Sequence, residues 1–160
     1  MGIQFQEGNW PTGICAKDII DFYYSVFPKF TKEKFLELDK TFDVMPFFKT
    51  PLNGLSGGQK QRFNALLSVI NDPKIIILDE LTTGLDLELQ FKIIEFFKQK
   101  VKNKQTLLIV SHHPDEIEQL CNRLIIISDN KVLLDKTIEE IRKEYGTVRN
   151  LMNKFYKGKI

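Results

Sequence analysis

Leu55-Ser56-Gly57-Gly58-Gln59 and, further along, Ile75-Ile76-Ile77-Leu78-Asp79-Glu80 are the two stretches on which the reading of this chain turns. Ser56 stands where a helix should begin, because Phe63, Leu66, Leu67 and Ile70 recur at i, i+3, i+4 and i+7 until Asp72-Pro73 stops the pattern. The glycines therefore lie at a helix N-terminus, which presents unpaired N–H groups and a partial positive charge. Lacking side chains, they let an anion reach the backbone, and phosphate is the natural guest. Ile75 to Leu78 is β-branched and continuously apolar, which predicts a central strand of a parallel sheet covered on both faces. Asp79 and Glu80 then fall at its C-terminal end, in the crevice where open α/β sheets bind ligands. Their opposed side-chain directions let one hold Mg²⁺ through water while the other orients and deprotonates an attacking water.

With these residues in view, the chain resembles, over nearly its whole length, the nucleotide-binding domain of ATP-binding-cassette (ABC) transporters. Leu55 to Gln59, continued by Lys60-Gln61-Arg62, is similar to the family's LSGGQ signature, and Ile75 to Glu80 to its Walker B strand. Thr83-Gly84-Leu85-Asp86 resembles the D-loop, with Leu81 in place of the proline that usually follows the catalytic glutamate. Thr106 to Ser111, His112 and then Pro114 resemble the switch region. Glu116-Ile117-Glu118-Gln119-Leu120 aligns without a gap when His112 is the switch histidine, with His113 as the fallback. Ile3-Gln4-Phe5-Gln6 resembles the strand entering the Q-loop, so Gln6, rather than Gln4, would contact Mg²⁺ or water.

The resemblance implies an α/β, P-loop-NTPase-like ABC ATPase fold with a central, mostly parallel sheet and a helical subdomain. It implies ATP and Mg²⁺ as cofactors: Asp79 would hold the metal, Glu80 would be the base, and His112 would stabilise the transferring phosphate. Ser56, Gly57, Gly58 and Gln59 would serve the site of a second ABC ATPase domain in a dimer, with Asp86 linking the two sites. The implied function is the ATP-hydrolysing subunit of a transporter, most similar to multidrug and ABC-2 type exporters, bound at the inner face of the cell membrane to a separate permease subunit.

No Gly-x-x-x-x-Gly-Lys-[Ser/Thr] occurs in the 160 residues. In the family that P-loop precedes the Q-loop, so the resemblance implies a domain read from after its first third, N-terminally truncated and inactive alone. Two other readings stand beside this one: a non-catalytic half-domain that supplies a signature face to an intact partner, and a DNA-repair or chromosome-type ATPase. The latter normally carries a long coiled coil before the signature, and none is visible. A transition-metal cluster at His112, His113, Asp115 and Glu116 is disfavoured by Pro114, which interrupts any shared helical face.

Composition agrees with one domain over 1–160, 42% hydrophobic and 18.7 kDa, enough for a sizeable core. The net charge of +2 offers no electrostatic argument for nucleic acid, and the basic tail of Lys154, Lys157 and Lys159 reads as a solvated end. No apolar run approaches the ~20 residues that span a bilayer, and no signal segment follows Met1, so a cytoplasmic chain is expected. Cys15 and Cys121 are expected as reduced thiols.

Along the chain, 1–15 reads as the Q-loop region and 16–54 as the helical subdomain. Within the latter, Ala16 to Phe27 and Thr31 to Phe42 are predicted helices, the second capped by Thr31. Residues 55–135 would hold the signature, Walker B, D-loop and switch core, including a helix from Leu87 to Val101 and a strand from Thr106 to Val110. Leu124 to Ser128 and Lys131 to Leu134 bracket Asp129-Asn130 as a hairpin, and 136–160 would be one capped helix and a tail, opened by Thr137-x-x-Glu140.

Overall fold

The three parallel strands β1 (Gly2–Ile3), β2 (Ile75–Asp79) and β3 (Thr106–Val110) lie in the order β1-β2-β3, which puts the isoleucine-rich strand at the centre. The computed structural model describes residues 1–4 and 10–158, and the chain divides into two units, Met1–Val110 and Ser111–Ile160. In the first, Ile76 and Leu78 are fully buried, whereas Ile75 is 44% exposed and, beside it on β3, Leu108 is 55% and Val110 60% exposed. The sheet is thus covered on one face rather than two. Because side chains alternate across a strand, Ile75, Leu108 and Val110 share the uncovered face and Ile76 and Leu78 the other.

Helices α1 (Ala16–Val26) and α2 (Lys32–Phe42) form where the apolar spacing predicts them, α1 stopping one residue early with Phe27 as its cap. Thr31 caps α2, its hydroxyl accepting from the Lys34 N–H at 3.4 Å. Asp43 ends α2 in the left-handed region (φ 48°). The Asp39 carboxylate then takes the N–H groups of Val44 and Met45 at 2.7 and 3.0 Å, so the turn has its donors satisfied. Two short 3₁₀ turns, Met45–Phe47 and Leu52–Gly54, lead into α3 (Gly57–Val69). Helix α4 (Leu87–Lys102) runs between β2 and β3, with Lys100 and Lys102 at its negative C-terminal end.

Phe42, Phe47, Phe63, Leu66, Ile93 and Phe97 are buried together with Ile76 and Leu78 as the core of this unit. Phe42 meets Phe96 and Phe97 edge to face, with centroids 5.1 and 6.4 Å apart. Burial of each such side chain is worth about 1.5–3 kcal/mol, and an edge-to-face pair adds about 0.5–1.5 kcal/mol. Helix α3 is buried around most of its girth: Asn64 and Ser68 lie inside along with Phe63 and Leu66, a broader face than the predicted stripe. Ser68 is satisfied by the Ala65 carbonyl at 2.7 Å.

The second unit contains α5 (Pro114–Leu120), the antiparallel pair β4 (Arg123–Ser128) and β5 (Lys131–Thr137), then α6 (Ile138–Tyr145) and α7 (Val148–Tyr156). Asp129 and Asn130 both adopt positive φ (49° and 60°), as a two-residue hairpin turn requires. Strand β5 runs three residues past the predicted Leu134, because Asp135 and Thr137 still pair with Ile125 and Arg123. The predicted single C-terminal helix is two. Gly146 (φ 81°) breaks it, and Thr147 caps α7 through the Asn150 N–H at 3.1 Å. Ile117, Leu134, Ile138, Ile141, Val148 and Leu151 form this unit's own core. Lys154 belongs to α7, its ammonium 5.0 Å from the Tyr145 ring centre.

Candidate functional site

Ser56 begins α3 by reciprocal capping: its N–H donates to Gln59 Oε1 at 2.9 Å, and its hydroxyl accepts from the Gln59 N–H at 3.3 Å. That capping occupies the third amide of the helix. The N–H groups of Gly57 and Gly58 precede any intrahelical acceptor. A β-carbon on Gly57 would meet nothing within 4 Å, so that side of the helix end is open; one on Gly58 would lie 2.6 Å from the carbonyl oxygen of Gly84. The glycines therefore serve two purposes. One leaves room beside the helix end, and the other lets α3 pack onto the loop that follows β2.

That loop begins at the two carboxylates. Asp79 closes β2 opposite Val110, half-buried, and no bond or ion pair among the described residues engages its carboxylate. Its backbone carbonyl accepts from Gln4 Nε2 at 3.4 Å, while Gln4 Oε1 is buried without a hydrogen-bond partner among the described residues. Glu80 adopts φ 50°, a left-handed conformation that costs a non-glycine residue about 1–3 kcal/mol. Its N–H donates to Val110 O at 2.8 Å, and its carbonyl accepts from Thr83 N at 3.2 Å and Gln61 Nε2 at 2.5 Å. The Thr83 hydroxyl reaches Glu80 Oε2 at 3.5 Å. Leu81, where the resembled family carries proline, is fully buried and anchors the loop by packing. Asp86 caps α4, accepting from the Leu89 N–H at 2.9 Å, and Gln90 Nε2 donates to Leu85 O at 2.9 Å.

Ser56, Gly57, Gly58, Gln59, Asp79, Glu80 and Asp86 thus all lie in the first unit, where the turn of α3 after Ser56 and the loop from Glu80 to Asp86 are in direct contact. Gln6 lies outside the described residues. In the second unit His112 is exposed and His113 half-buried, their rings 4.2 Å apart, with His113 as the N-cap of α5. Ser111 donates to the buried Glu116 carboxylate and accepts from the His113 N–H at 3.0 Å, which fixes the entry to α5. Gln61 and Gln4 carry contacts to the carboxylate loop that motif reading did not assign. The signal for Gln61 was its place one turn after Gly58, on the same helix face.

The donor set fits a hard cation. Asp79 offers carboxylate oxygens at a strand end, and among the described residues no three His, Cys, Asp or Glu side chains converge as a closed cage. Mg²⁺ is characteristically held by one or two carboxylates with water and phosphate oxygens completing the shell.

A central parallel strand ending in Asp79-Glu80, with a serine-capped, glycine-rich helix start packed on the following loop, is the arrangement expected of an ABC-type ATP-binding domain. The comparisons agree. Residues 47–118 match the family described as "AAA domain, putative AbiEii toxin, Type IV TA system". The nickel import system ATP-binding protein NikE of Staphylococcus aureus (strain MRSA252) is 29% identical over 136 residues, 83% of this chain. The chain spans 58% of that relative's length. The dimeric, post-hydrolysis ATP-binding cassette MJ0796, bound to ADP and Pi, superposes with a TM-score of 0.71 at 25% identity, covering 85% of this chain and 62% of that one. An ATP-binding subunit of an ABC transporter superposes with a TM-score of 0.79 at 16% identity, covering 96% and 67%, which supports the fold. NikE is described as part of an import system, so the expected likeness to exporters has no counterpart in that relative. No helix among the described residues is long and apolar enough to cross a membrane.

Proposed function

We propose that this chain is the signature-to-switch portion of an ATP-hydrolysing subunit that drives an ABC transporter from the cytoplasmic side. It would act in a dimer with a second ABC ATPase domain and dock on a membrane-spanning permease. The observation that carries the reading is the contact of α3 with the Glu80–Asp86 loop, which joins a phosphate-binding helix end to a pair of carboxylates at a strand terminus. Asp79, whose carboxylate oxygens no described residue engages, would hold Mg²⁺ through water. Bound there, the metal supplies charge neutralisation for the β- and γ-phosphates. Glu80, aimed by its left-handed backbone, would orient the attacking water and take its proton at the carboxylate. Gly57 and Gly58 N–H groups would face the γ-phosphate of the partner domain's site, with Ser56 and Gln59 shaping that helix end. Asp86 would link the two sites, His112 would stabilise the transferring phosphate, and Gln6 would contact the metal or its water.

Because these 160 residues hold no P-loop motif, the phosphate nest and its lysine must come from another polypeptide segment, and the chain by itself should bind Mg-ATP poorly. Calorimetric titration of the chain alone should show no micromolar binding. Supplying a P-loop-bearing segment should restore binding and hydrolysis. Glu80→Gln in that assembly should keep binding and lower hydrolysis roughly 10²–10⁴-fold. Micromolar binding with turnover by the chain alone, or full activity of Glu80→Gln, would refute the reading. If the chain instead only stimulates an intact ATPase, and Glu80→Gln leaves that stimulation unchanged, its role is to present a signature face to a partner.

A further inference from the structure

Resting on the reading of Glu80 as the base, we propose that Gln61 is its positioning residue: the Gln61 side-chain amide ties the signature helix to the Glu80 backbone and holds that residue in its left-handed conformation. Glu80 has φ 50°, which a glutamate adopts only when its surroundings hold it there. Two kinds of contact grip its backbone. The N–H is fixed to Val110 O on β3 at 2.8 Å; the carbonyl, which any relaxation toward ordinary φ would swing away, receives Gln61 Nε2 at 2.5 Å and Thr83 N at 3.2 Å. Of the two contacts to the carbonyl, Gln61 is the one that comes from a separate element.

Gln61 sits three residues after Gly58, so both lie on the face of α3 turned to this loop, where Gly58 abuts the Gly84 carbonyl. From the other side α4 repeats the device, with Gln90 Nε2 donating to Leu85 O at 2.9 Å and Thr82 O at 3.4 Å. Buried Leu81 and Thr82 fill the space between. The loop that starts at the base is thus held by a glutamine amide from each of two helices. A displacement of α3 at Ser56–Gly58 is passed by one side chain to the carbonyl of Glu80, and an anion engaged at that helix end bears on the base of its own chain.

Hydrogen exchange on the full chain tests the link without hydrolysis. In Gln61→Leu, and in Gln61→Asn, whose amide is one methylene too short, exchange from Glu80 to Leu85 should rise about tenfold while Ile76–Leu78 stay as in wild type. Unchanged exchange at 80–85 in both variants would overturn the proposal. In the P-loop-completed ATPase the same substitutions should lower kcat about tenfold with KM for ATP unaltered. A raised KM at full kcat would overturn the positioning role. Hydrolysis indifferent to Glu80→Gln would instead overturn the assignment of the base, and the exchange result would still decide whether Gln61 holds the turn.

Discussion

Gly58 and Gly84 meet backbone to backbone, so closely that a β-carbon on Gly58 would lie 2.6 Å from the Gly84 carbonyl oxygen. Gly57, its neighbour, faces open space. The pair separates packing from ligand approach. Gly58→Ala should lose about 1–3 kcal/mol of stability through overpacking. Gly57→Ala should be neutral or slightly stabilising, by at most about 1 kcal/mol, since alanine is the better helix former. Urea unfolding of the two variants checks this, and equal losses would show that the loop contact is not what the first glycine pair member provides.

Phe42→Ala should cost about 3–5 kcal/mol. The ring is fully buried and makes edge-to-face contacts with both Phe96 and Phe97, so truncation leaves a cavity where α2 meets α4. The denaturation midpoint should fall with the slope unchanged.

Asp72 accepts a hydrogen bond from Lys100 at 2.8 Å, which, with the attraction of that ammonium, holds its carboxyl below the usual range. A depressed folded-state pKa contributes stability above the unfolded value near 3.9 and loses it as pH falls through the folded value. The carboxylate is largely exposed, so screening keeps the contribution below about 1 kcal/mol. Asp72→Asn, which tolerates the same positive φ of 47°, should destabilise at pH 7 and match wild type near pH 2. Thermal melts at both pH values read the difference.

Cys121 is pushed up to about 11 by burial, with the Glu116 carboxylate adding to the shift. At pH 8 its thiolate is correspondingly scarce. Alkylation by iodoacetamide should be roughly a hundredfold slower in the folded chain than in urea. Mass spectrometry of the Cys121 peptide over time decides the point, and equal rates would place the thiol in water.

The open sheet face and the free edge of β3 carry exposed Leu108 and Val110, with Ile75 beside them. Apolar edge strands recruit other chains. The chain should self-associate at about tens of micromolar, a range in which exposed edges aggregate, and Leu108→Lys with Val110→Lys should reduce this. Light scattering during size exclusion measures it; a monodisperse wild-type monomer would show that the face is tolerated.

Local patterns settled most of the elements. Ser56 before a 3.6-residue apolar spacing, four consecutive β-branched or leucine residues before Asp79, Thr31 and Thr137 as caps, and Asp129-Asn130 between apolar runs each act within a turn or two of chain, and each formed where it was read. What local pattern does not contain is the second partner of a surface. Whether a β-branched strand is covered on one face or two depends on which distant segments pack against it, and here Ile76 and Leu78 found cover while Ile75 did not. A glycine within a helical pattern does not by itself end the helix; the positive φ of Gly146 ends α6, and Thr147 then caps α7, which buries Val148 and Leu151. The candidate site divides the same way. Asp79, Glu80 and the capped glycines are visible as residue types in order, whereas the left-handed backbone of Glu80 and its grip by Gln61, nineteen residues earlier, arise only when β2 and α3 come together, because a hydrogen bond between distant residues has no signature in the chain until folding brings its two ends within reach.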